Sequence, residues 1–188
     1  ALLALATLLP EALGGAGVPT LTALGVTLGP ELPALVRLRE LGCTRVEIGV
    51  QSTDDGILLK TKRGHDADAN IEAFRKLKQA GLKVCAHWMP GLTGIYGKID
   101  FEKELSMFAE LFSNPGYMPD EIKIYPTLVI PGTELHEMWE KGEFAALSRD
   151  EMVSLLVEMK KIIPPYVRVK FPHVTNEGSL SGVIPPST

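Results

Sequence analysis

The chain has 188 residues, of which 45% are hydrophobic and 22% charged, and its net charge at pH 7 is −4. This length allows a sizeable core, and the acidic balance gives no general support for nucleic-acid binding, so an RNA contact would need a local basic patch. No apolar run is long enough to span a membrane, and the two isolated cysteines favour a reducing, cytoplasmic compartment over a disulfide-bonded or zinc-binding protein.

Residues 1–36 differ sharply in composition from the remainder. They contain only seven residue types (Leu, Ala, Gly, Pro, Thr, Val and Glu), whereas all common types appear from Arg37 onward. Such a change is typical of a linker or a low-complexity segment. We therefore predict a poorly informative segment at 1–36, one domain at 37–171, and a tail or linker at 172–188. Within the first part, 25–28 reads as a short strand, and a helix is predicted over 31–41.

The next strand, at about 45–50, has one apolar and one polar face. Val46, Ile48 and Val50 alternate with polar or side-chain-free positions, which are Arg45, Glu47, Gly49 and Gln51. Because side chains alternate across a strand, the second set shares one face. In a chain that repeats strand and helix, such a face usually points into a barrel or cleft. A half-exposed edge strand is the alternative interpretation.

A dense basic cluster follows this strand. It comprises Lys60, Lys62, Arg63 and His65, after Asp54 and Asp55, which suit a helix N-terminus. Four basic groups at a helix end are usually a solvated cap, but they can also contact a phosphate backbone. The residues from 67 to 80 then show the spacing of an amphipathic helix that ends at Gly81.

Two further strands carry candidate functional residues. His87 lies at the carboxyl end of a strand over 82–89, where parallel α/β folds bind ligands, although a structural histidine is also possible. Lys123 lies in a strand over 121–130 that Pro126 interrupts, so regular pairing is expected to end or bulge there. A lysine inside a strand is costly unless it meets an anion or lines a wet cavity. An unpaired lysine there would contribute little to packing.

The remaining elements complete a repeating α/β pattern. Helices are predicted over 101–112, 134–140 and 150–163, the last opened by a capping box at Ser148–Glu151, and a final strand is predicted over 166–171. Strands that alternate with helices predict a parallel sheet with right-handed crossovers. About five strands are too few for an eight-stranded barrel. We therefore predict an α/β fold that is a partial barrel, or the later part of a larger one, with outer helices.

Several segments, taken together, resemble one enzyme family. LGCTRVEIGVQS, KTKRGH, AGLKVCAHWMPGLTG, EIKIYPTLVIPGTELHEMWEKGEF and IIPPYVRV occur in the order and spacing of the catalytic subunit of Elongator and its bacterial and archaeal relatives. The match covers about 37–169. The resemblance implies a partial barrel of the radical S-adenosylmethionine (SAM) type in a cytoplasmic transferase that modifies tRNA.

The resemblance also implies the reaction and its cofactors. In that family a 4Fe–4S cluster cleaves SAM, the resulting radical attacks the acetyl group of acetyl-CoA, and a carboxymethyl-type group forms at C5 of the wobble uridine, position 34. A separate acetyltransferase-like domain handles acetyl-CoA. The implied partners are tRNA and acetyl-CoA, together with Elongator-type subunits or a second copy of the chain, and no membrane.

Site residues are carried over from the matching motifs. The resemblance implies catalytic positions at His87 and Lys123, and RNA contacts by the basic cluster. The positions implied for cofactor binding are Glu47, Gly49, Gln51 and Tyr125. No metal ligand is assigned, because Cys43 and Cys85 do not match the family's three cluster cysteines.

Two alternatives to an enzyme of this family stay open on the sequence alone. A non-catalytic, truncated paralogue would act as an RNA-binding or scaffold module, since the chain as given lacks the cluster cysteines. An unrelated aldolase-like barrel would use Lys123 as a Schiff base.

Overall fold

The computed structural model describes the backbone of residues 20–23 and all atoms of residues 32–170. Its strands form one all-parallel sheet with the spatial order β1-β2-β3-β4-β5, which is also their order along the chain. The strands are β1 (Thr20–Ala23), β2 (Arg45–Gln51), β3 (Lys83–Trp88), β4 (Glu121–Ile124) and β5 (Arg168–Lys170). This five-stranded parallel sheet confirms the predicted fold class.

Helices connect the strands. They are α1 (Leu32–Glu40), α2 (Asp55–Lys60), α3 (Ala67–Gln79), α4 (Phe101–Ser113), α5 (Glu134–Glu140) and α6 (Arg149–Ile162), with a 3₁₀ turn at Leu92–Tyr96. Five of these helices begin at a side chain that accepts a hydrogen bond from the first turn: Asp54, Asp66, Asp100, Thr133 and Ser148. Each cap satisfies a backbone N–H that the helix itself leaves unpaired. The capping box of Ser148 and Glu151 is confirmed.

The sequential strand order explains why one face of the sheet is apolar and the other is polar. Right-handed crossovers between neighbouring parallel strands place successive helices on the same side of the sheet. The residues that face the helices are almost fully buried and apolar: Val46, Ile48, Val50, Val84, Ala86, Trp88, Ile122 and Ile124. Trp88 packs edge-to-face on Phe108 of α4, with ring centroids 5.5 Å apart. The opposite face is the interior of a partial barrel.

Two of the predicted strands have other bounds in the structure, and one prediction is untested. The strand predicted at 25–28 lies outside the described residues, and the observed first strand is Thr20–Ala23. The strand predicted over 121–130 ends at Ile124, because Pro126 cannot donate a ladder hydrogen bond. The final strand is shorter than predicted. None of the helices in the described part of the chain is long and apolar enough to cross a bilayer.

Candidate active site

The sheet register brings three of the predicted site residues together on the inner face. Glu47 of β2 lies opposite Cys85 of β3, and His87 of β3 lies opposite Lys123 of β4. Since side chains two residues apart share a face, all four face the barrel interior, where Glu47, His87 and Lys123 form one layer of contacts.

Glu47 is the centre of this layer. Its Oε2 atom accepts a hydrogen bond from Lys123 Nζ at 2.5 Å and lies 2.9 Å from His87 Nε2. Only 4% of Glu47 is exposed, so this carboxylate is satisfied by its two neighbours and not by bulk water. The ring of Tyr125, which follows β4, lies 5.2 Å from the imidazole of His87. The predicted residues Glu47, His87, Lys123 and Tyr125 are therefore contiguous.

The electrostatics of the layer favour an ion pair. Burial alone would raise the pKa of Glu47, but the hydrogen bonds and charges of Lys123 and His87 lower it overall. Burial alone would lower the pKa of Lys123, but the hydrogen bond and charge of Glu47 raise it overall. Lys123 is therefore an ammonium group at neutral pH. A Schiff-base mechanism needs a neutral amine, so this geometry disfavours the aldolase-like alternative.

A second layer of charges lies beside the first on the same face of the sheet. Glu121 of β4 forms ion pairs with Arg45 Nε at 3.1 Å and with Lys170 Nζ at 2.5 Å. The sequence analysis did not single out Glu121 or Lys170. The alternation that marked Lys123 would have found Glu121, which lies two residues before it on β4. It would also have found Lys170, which pairs with Lys123 across the sheet.

Cys85 lies between the two layers and is fully buried. Burial, followed by the charges of Glu47 and Glu121, raises the pKa of its thiol to about 12. In the unfolded chain the same thiol ionises near its ordinary value of 9.0. Between these two values the unfolded state binds fewer protons than the folded state, so stability falls as the pH rises.

We expect Cys85→Ala to flatten the alkaline limb of the stability curve. The measurement is denaturant unfolding between about pH 8 and pH 11, where one thiol contributes a slope of at most about 1.4 kcal/mol per pH unit. Cys85→Ala should lose this slope. The cavity left by the substitution should lower the free energy of unfolding by the same amount at every pH. An unchanged slope in the variant would contradict the assignment.

The residues present do not fit a 4Fe–4S cluster. Such clusters are held by several cysteine thiolates, and this sequence contains two cysteines in all. Cys43 is buried in the turn before β2, where its Sγ donates to the carbonyl of Arg45 at 3.3 Å, while Cys85 faces the barrel interior. Within the described residues, the one group with metal-ligand geometry is Glu47, Cys85 and His87, with ligand atoms within 4.8 Å of one another. That group supplies a single thiolate.

A cavity of about 250 Å³ opens at the carboxyl ends of β2 and β3, and we call it the strand-end cavity. Its polar lining includes Gln51, Thr127 and the basic residues Lys60, Lys62 and Arg63. Its apolar walls are Met89, Leu92, Ile95, Leu128, Leu135 and Met138. Gln51, which the resemblance grouped with Glu47 as a cofactor residue, thus lies with the basic cluster. Gly49 lies in β2 where the pairing with β3 shifts register.

His65 does not line the strand-end cavity. It borders a separate, open depression beside Asp55, Leu58 and Asp66. Burial, followed by the charge of Arg63, lowers the pKa of His65, so the neutral imidazole is favoured at pH 7. The four basic residues therefore divide into three that line the cavity and one that does not.

Glu104 of α4 is a site-supporting residue that the sequence analysis missed. It is fully buried, and its Oε1 accepts a hydrogen bond from the backbone N–H of Thr93 at 2.9 Å. Thr93 Oγ1 in turn accepts from the backbone N–H of Asp100 at 3.1 Å. These bonds hold the glycine-rich loop after β3, which supplies Leu92 and Ile95 to the cavity. The sequence signal for Glu104 is its position: it lies three residues after Phe101 and four before Phe108, on the predicted apolar face of the helix, where a charged residue is costly without a partner.

Comparisons with known proteins agree on one family. Residues 18–103 match the Radical SAM superfamily, and residues 119–170 match the Radical_SAM C-terminal domain. The tRNA uridine(34) acetyltransferase of Methanocaldococcus infernus is 48% identical over 132 residues, which are 70% of this chain and 24% of that protein. Human Elongator complex protein 3 is 42% identical over 128 residues, 68% of this chain and 23% of that protein. The chain thus spans about a quarter of the length of these relatives.

Solved structures give the same result. The archaeal Methanocaldococcus infernus Elp3 with an N-terminal deletion has a TM-score of 0.72 and 41% sequence identity, covering 80% of this chain and 34% of that one. Coproporphyrinogen III oxidase (HemN) from Escherichia coli, a radical SAM enzyme, has a TM-score of 0.62 at 16% identity, covering 85% and 35% of the two chains, and supports the fold alone. The chain therefore belongs to the radical SAM superfamily and, within it, to the family of Elongator complex protein 3 and the archaeal tRNA uridine(34) acetyltransferases.

Proposed function

We propose that this chain is the radical SAM part of an enzyme that modifies tRNA at C5 of the wobble uridine with an acetyl-CoA-derived, carboxymethyl-type group. The observation that carries the proposal is the buried Glu47–His87–Lys123 network on the inner face of the partial barrel, in a chain 48% identical to a protein named tRNA uridine(34) acetyltransferase.

The charges of the inner face fit SAM. SAM carries an amino group and a carboxylate, and the site offers an ionised carboxylate at Glu47 beside an ammonium group at Lys123. We assign the binding of SAM to Glu47, Gln51 and Tyr125, with Gly49 leaving room on the same strand. When bound to a reduced iron–sulfur cluster, SAM supplies a 5′-deoxyadenosyl radical. The described residues do not fit that cluster, so its ligands would have to come from elsewhere in the enzyme.

The remaining residues of the network, Lys123 and His87, hold one another in place through Glu47 and polarise the acyl group of the substrate. Lys123 holds the Glu47 carboxylate in place and presents positive charge to an acyl oxygen of the substrate, because an ammonium group stabilises developing negative charge in a dry site. His87 Nε2 is tied to Glu47, which fixes the orientation of the imidazole ring. We assign Lys123 and His87 as the residues that face the acetyl-bearing substrate.

The basic cluster is assigned to tRNA. Lys60, Lys62 and Arg63 line the cavity at the carboxyl ends of the strands, where parallel α/β folds bind ligands. His65, with its lowered pKa, would contact RNA through a neutral hydrogen bond and not through charge. A tRNA substrate would place the protein in the cytoplasm. Elongator-type subunits and a second copy of the chain stay predicted partners.

We expect the full-length protein to convert the wobble uridine when supplied with SAM, acetyl-CoA, a reductant and tRNA. The measurement is mass spectrometry of nucleosides from digested tRNA, with a tRNA that carries cytidine at position 34 as the control. The intact mass of the purified polypeptide is determined on the same sample. Product formation by a polypeptide much heavier than 20.4 kDa would agree with cluster ligands outside this chain.

One observation favours a second candidate. The two cysteines of this chain cannot ligate a cluster, which suits a non-catalytic RNA-binding or scaffold module. Tight tRNA binding by a 20.4 kDa polypeptide that leaves the uridine unchanged would support this candidate and contradict the enzyme.

A further inference from the structure

We propose that Glu47, Cys85 and His87 form a binding site for a thiophilic divalent cation of the zinc type, and that Lys123 competes with this cation for Glu47. The inference goes beyond the proposed function and does not rest on it, because cation binding is measured without RNA, SAM or acetyl-CoA. It gives the Cys85 thiol a role that the modification of uridine does not.

Two neighbouring strands place the three ligand groups together. Cys85 and His87 are two residues apart on β3, so their side chains share the inner face of the sheet. Glu47 of β2 lies opposite Cys85 in the parallel register. One carboxylate oxygen, the thiol sulfur and one imidazole nitrogen lie within 4.8 Å of one another, and no other group of three such ligands does so in the described part of the chain. Hydrogen-bonded strands therefore hold the whole ligand set.

The distances allow tetrahedral coordination after small side-chain rotations. Zinc binds carboxylate oxygen, imidazole nitrogen and thiolate sulfur at about 2.0–2.3 Å, which puts the ligand atoms of a tetrahedral site about 3.4–3.6 Å apart. Glu47 Oε2 and His87 Nε2 lie 2.9 Å apart, and the widest pair in the group is within 4.8 Å. Movements of about 1 Å thus complete the site, and three protein ligands leave a fourth position for water.

The donor atoms select the class of cation. A thiolate, an imidazole and a carboxylate are ligands of Zn²⁺ and Co²⁺, whereas Mg²⁺ and Ca²⁺ take oxygen ligands. A coordinating thiol is deprotonated, so Cys85 Sγ gives its proton to solvent water as the metal–sulfur bond forms. The two negative charges of Glu47 and Cys85 then balance the charge of the cation. This balance is needed at Glu47 and Cys85 because both are buried.

Lys123 opposes the cation. Its Nζ atom lies 2.5 Å from Glu47 Oε2, the same oxygen that contacts His87. The Lys123 side chain is 22% exposed and that of Glu47 only 5%, so the lysine is the partner that can turn toward water. Cation binding and the Glu47–Lys123 ion pair are therefore mutually exclusive. An occupied site has no intact Glu47–His87–Lys123 network.

The experiment is titration of the purified full-length protein with Co²⁺, followed by displacement with Zn²⁺. Cobalt–thiolate charge-transfer absorption reports the sulfur ligand, and difference spectra against each variant cancel metal bound elsewhere in the protein. We expect Cys85→Ala to lose the absorption of one thiolate and to weaken Zn²⁺ binding by at least about 100-fold, since losing a residue that only supports a ligand already costs about 10- to 100-fold. Cys85→Ser, which keeps the size of the side chain, should behave alike. Mg²⁺ should not displace the Co²⁺.

Cys43→Ala is the matched control. Cys43 is also buried, but its Sγ lies in the turn before β2 and donates to the carbonyl of Arg45 at 3.3 Å. Removing this thiol should leave the Co²⁺ spectrum and the Kd for Zn²⁺ unchanged. Lys123→Met should act in the direction opposite to Cys85→Ala and tighten Zn²⁺ binding by about fivefold, the effect of one like charge at about 4 Å even when water screens it.

Every outcome decides the proposal. Identical Co²⁺ spectra and Zn²⁺ affinities for the wild type and both Cys85 variants overturn the site. Equal losses in Cys43→Ala and Cys85→Ala overturn it too, because they indicate a general effect on the fold. Zn²⁺ binding that Lys123→Met weakens or leaves unchanged overturns the competition. Loss confined to the Cys85 variants, with tighter binding by Lys123→Met, supports the proposal. None of these results depends on uridine modification, which nucleoside analysis tests separately.

Discussion

Lys123→Ala is expected to abolish wobble-uridine modification by the full-length enzyme and to lower the free energy of unfolding by about 1–3 kcal/mol. The loss of stability follows because Glu47, only 4% exposed, loses the hydrogen bond and charge of Lys123 and must then bear the cost of its burial with one partner fewer. On the sequence alone, Lys123 reads as an unpaired lysine whose removal costs little. The observed ion pair makes that expectation wrong. The measurements are tRNA nucleoside analysis and denaturant unfolding.

A double variant separates the structural effect from the catalytic one. Glu47→Gln with Lys123→Met removes both charges together, so it should recover most of the stability that Lys123→Ala loses while modification stays absent. The coupling between the two sites should be about 0.5–3 kcal/mol. Lys83→Ala, an exposed lysine on β3, is the control and should change neither measurement. Modification at the wild-type rate by the Lys123 variant would contradict the assigned role.

The Glu47–Lys123 ion pair also predicts how the free energy of unfolding depends on pH. The pKa of Glu47 is lowered below its ordinary 4.5, so the stability that the pair provides is lost only as the pH falls through that lowered value. The pKa of Lys123 is raised above its ordinary 10.5, so the loss at alkaline pH occurs only above that raised value. The stability difference between wild type and Lys123→Ala should therefore stay constant through neutral pH.

Gly94→Ala is expected to destabilise the protein by about 2–4 kcal/mol and to weaken RNA binding. A Cβ atom at Gly94 would lie 2.0 Å from the backbone oxygen of Ala145 and 3.0 Å from the ring of Phe144. The backbones also bond here, since the N–H of Ala145 donates to the carbonyl of Gly94 at 2.9 Å. Because neither backbone can move away cheaply, the 3₁₀ turn must separate from the segment after α5. The strand-end cavity takes its walls from this turn and from α5, which leads into that segment, so its shape should change as well.

Gly97→Ala is the matched control for this prediction. Gly97 lies in the same loop, and its φ of +78° favours glycine, but a Cβ atom there meets nothing nearer than 3.9 Å. Gly97→Ala should therefore lower the free energy of unfolding through backbone strain alone, by about 1–2 kcal/mol. Thermal unfolding and RNA titration of both variants are the measurements. Equal losses in the two variants would contradict the steric argument.

The sequence predicted the order of the elements well because local patterns specify them. Asp100 and Ser148 mark helix starts through their own hydrogen bonds, and Pro126 ends a strand through its missing N–H, whatever the rest of the chain does. The alternation in β2 likewise identified Glu47 as a residue of the polar face. The domain boundaries at 36 and 171 stay a prediction.

The site was predicted in part. His87 and Lys123 were chosen from their strands, and the sheet register does bring both to Glu47. Gln51, which the resemblance groups with Glu47 as a cofactor residue, lines the strand-end cavity, and its role stays a prediction. Glu104 and Glu121 were missed although their spacing on α4 and β4 marks them; only the partner that each one meets, a distant backbone or cation, depends on the tertiary structure.

Composition and periodicity by themselves determined that this chain is a parallel α/β protein with a carboxylate and a lysine on the polar face of its strands. Those features arise from contacts between residues close in sequence. The radical SAM type was implied by the resemblance of its motifs to a known family. Only the tertiary structure decided that Lys123 is charged, that Cys85 is a buried thiol, and that Gln51 lies in a cavity with the basic cluster. The charge state of Lys123 and the burial of Cys85 depend on residues 36 or more positions away along the chain, and the cavity takes walls from three separate segments, so only the packed sheet sets these distances.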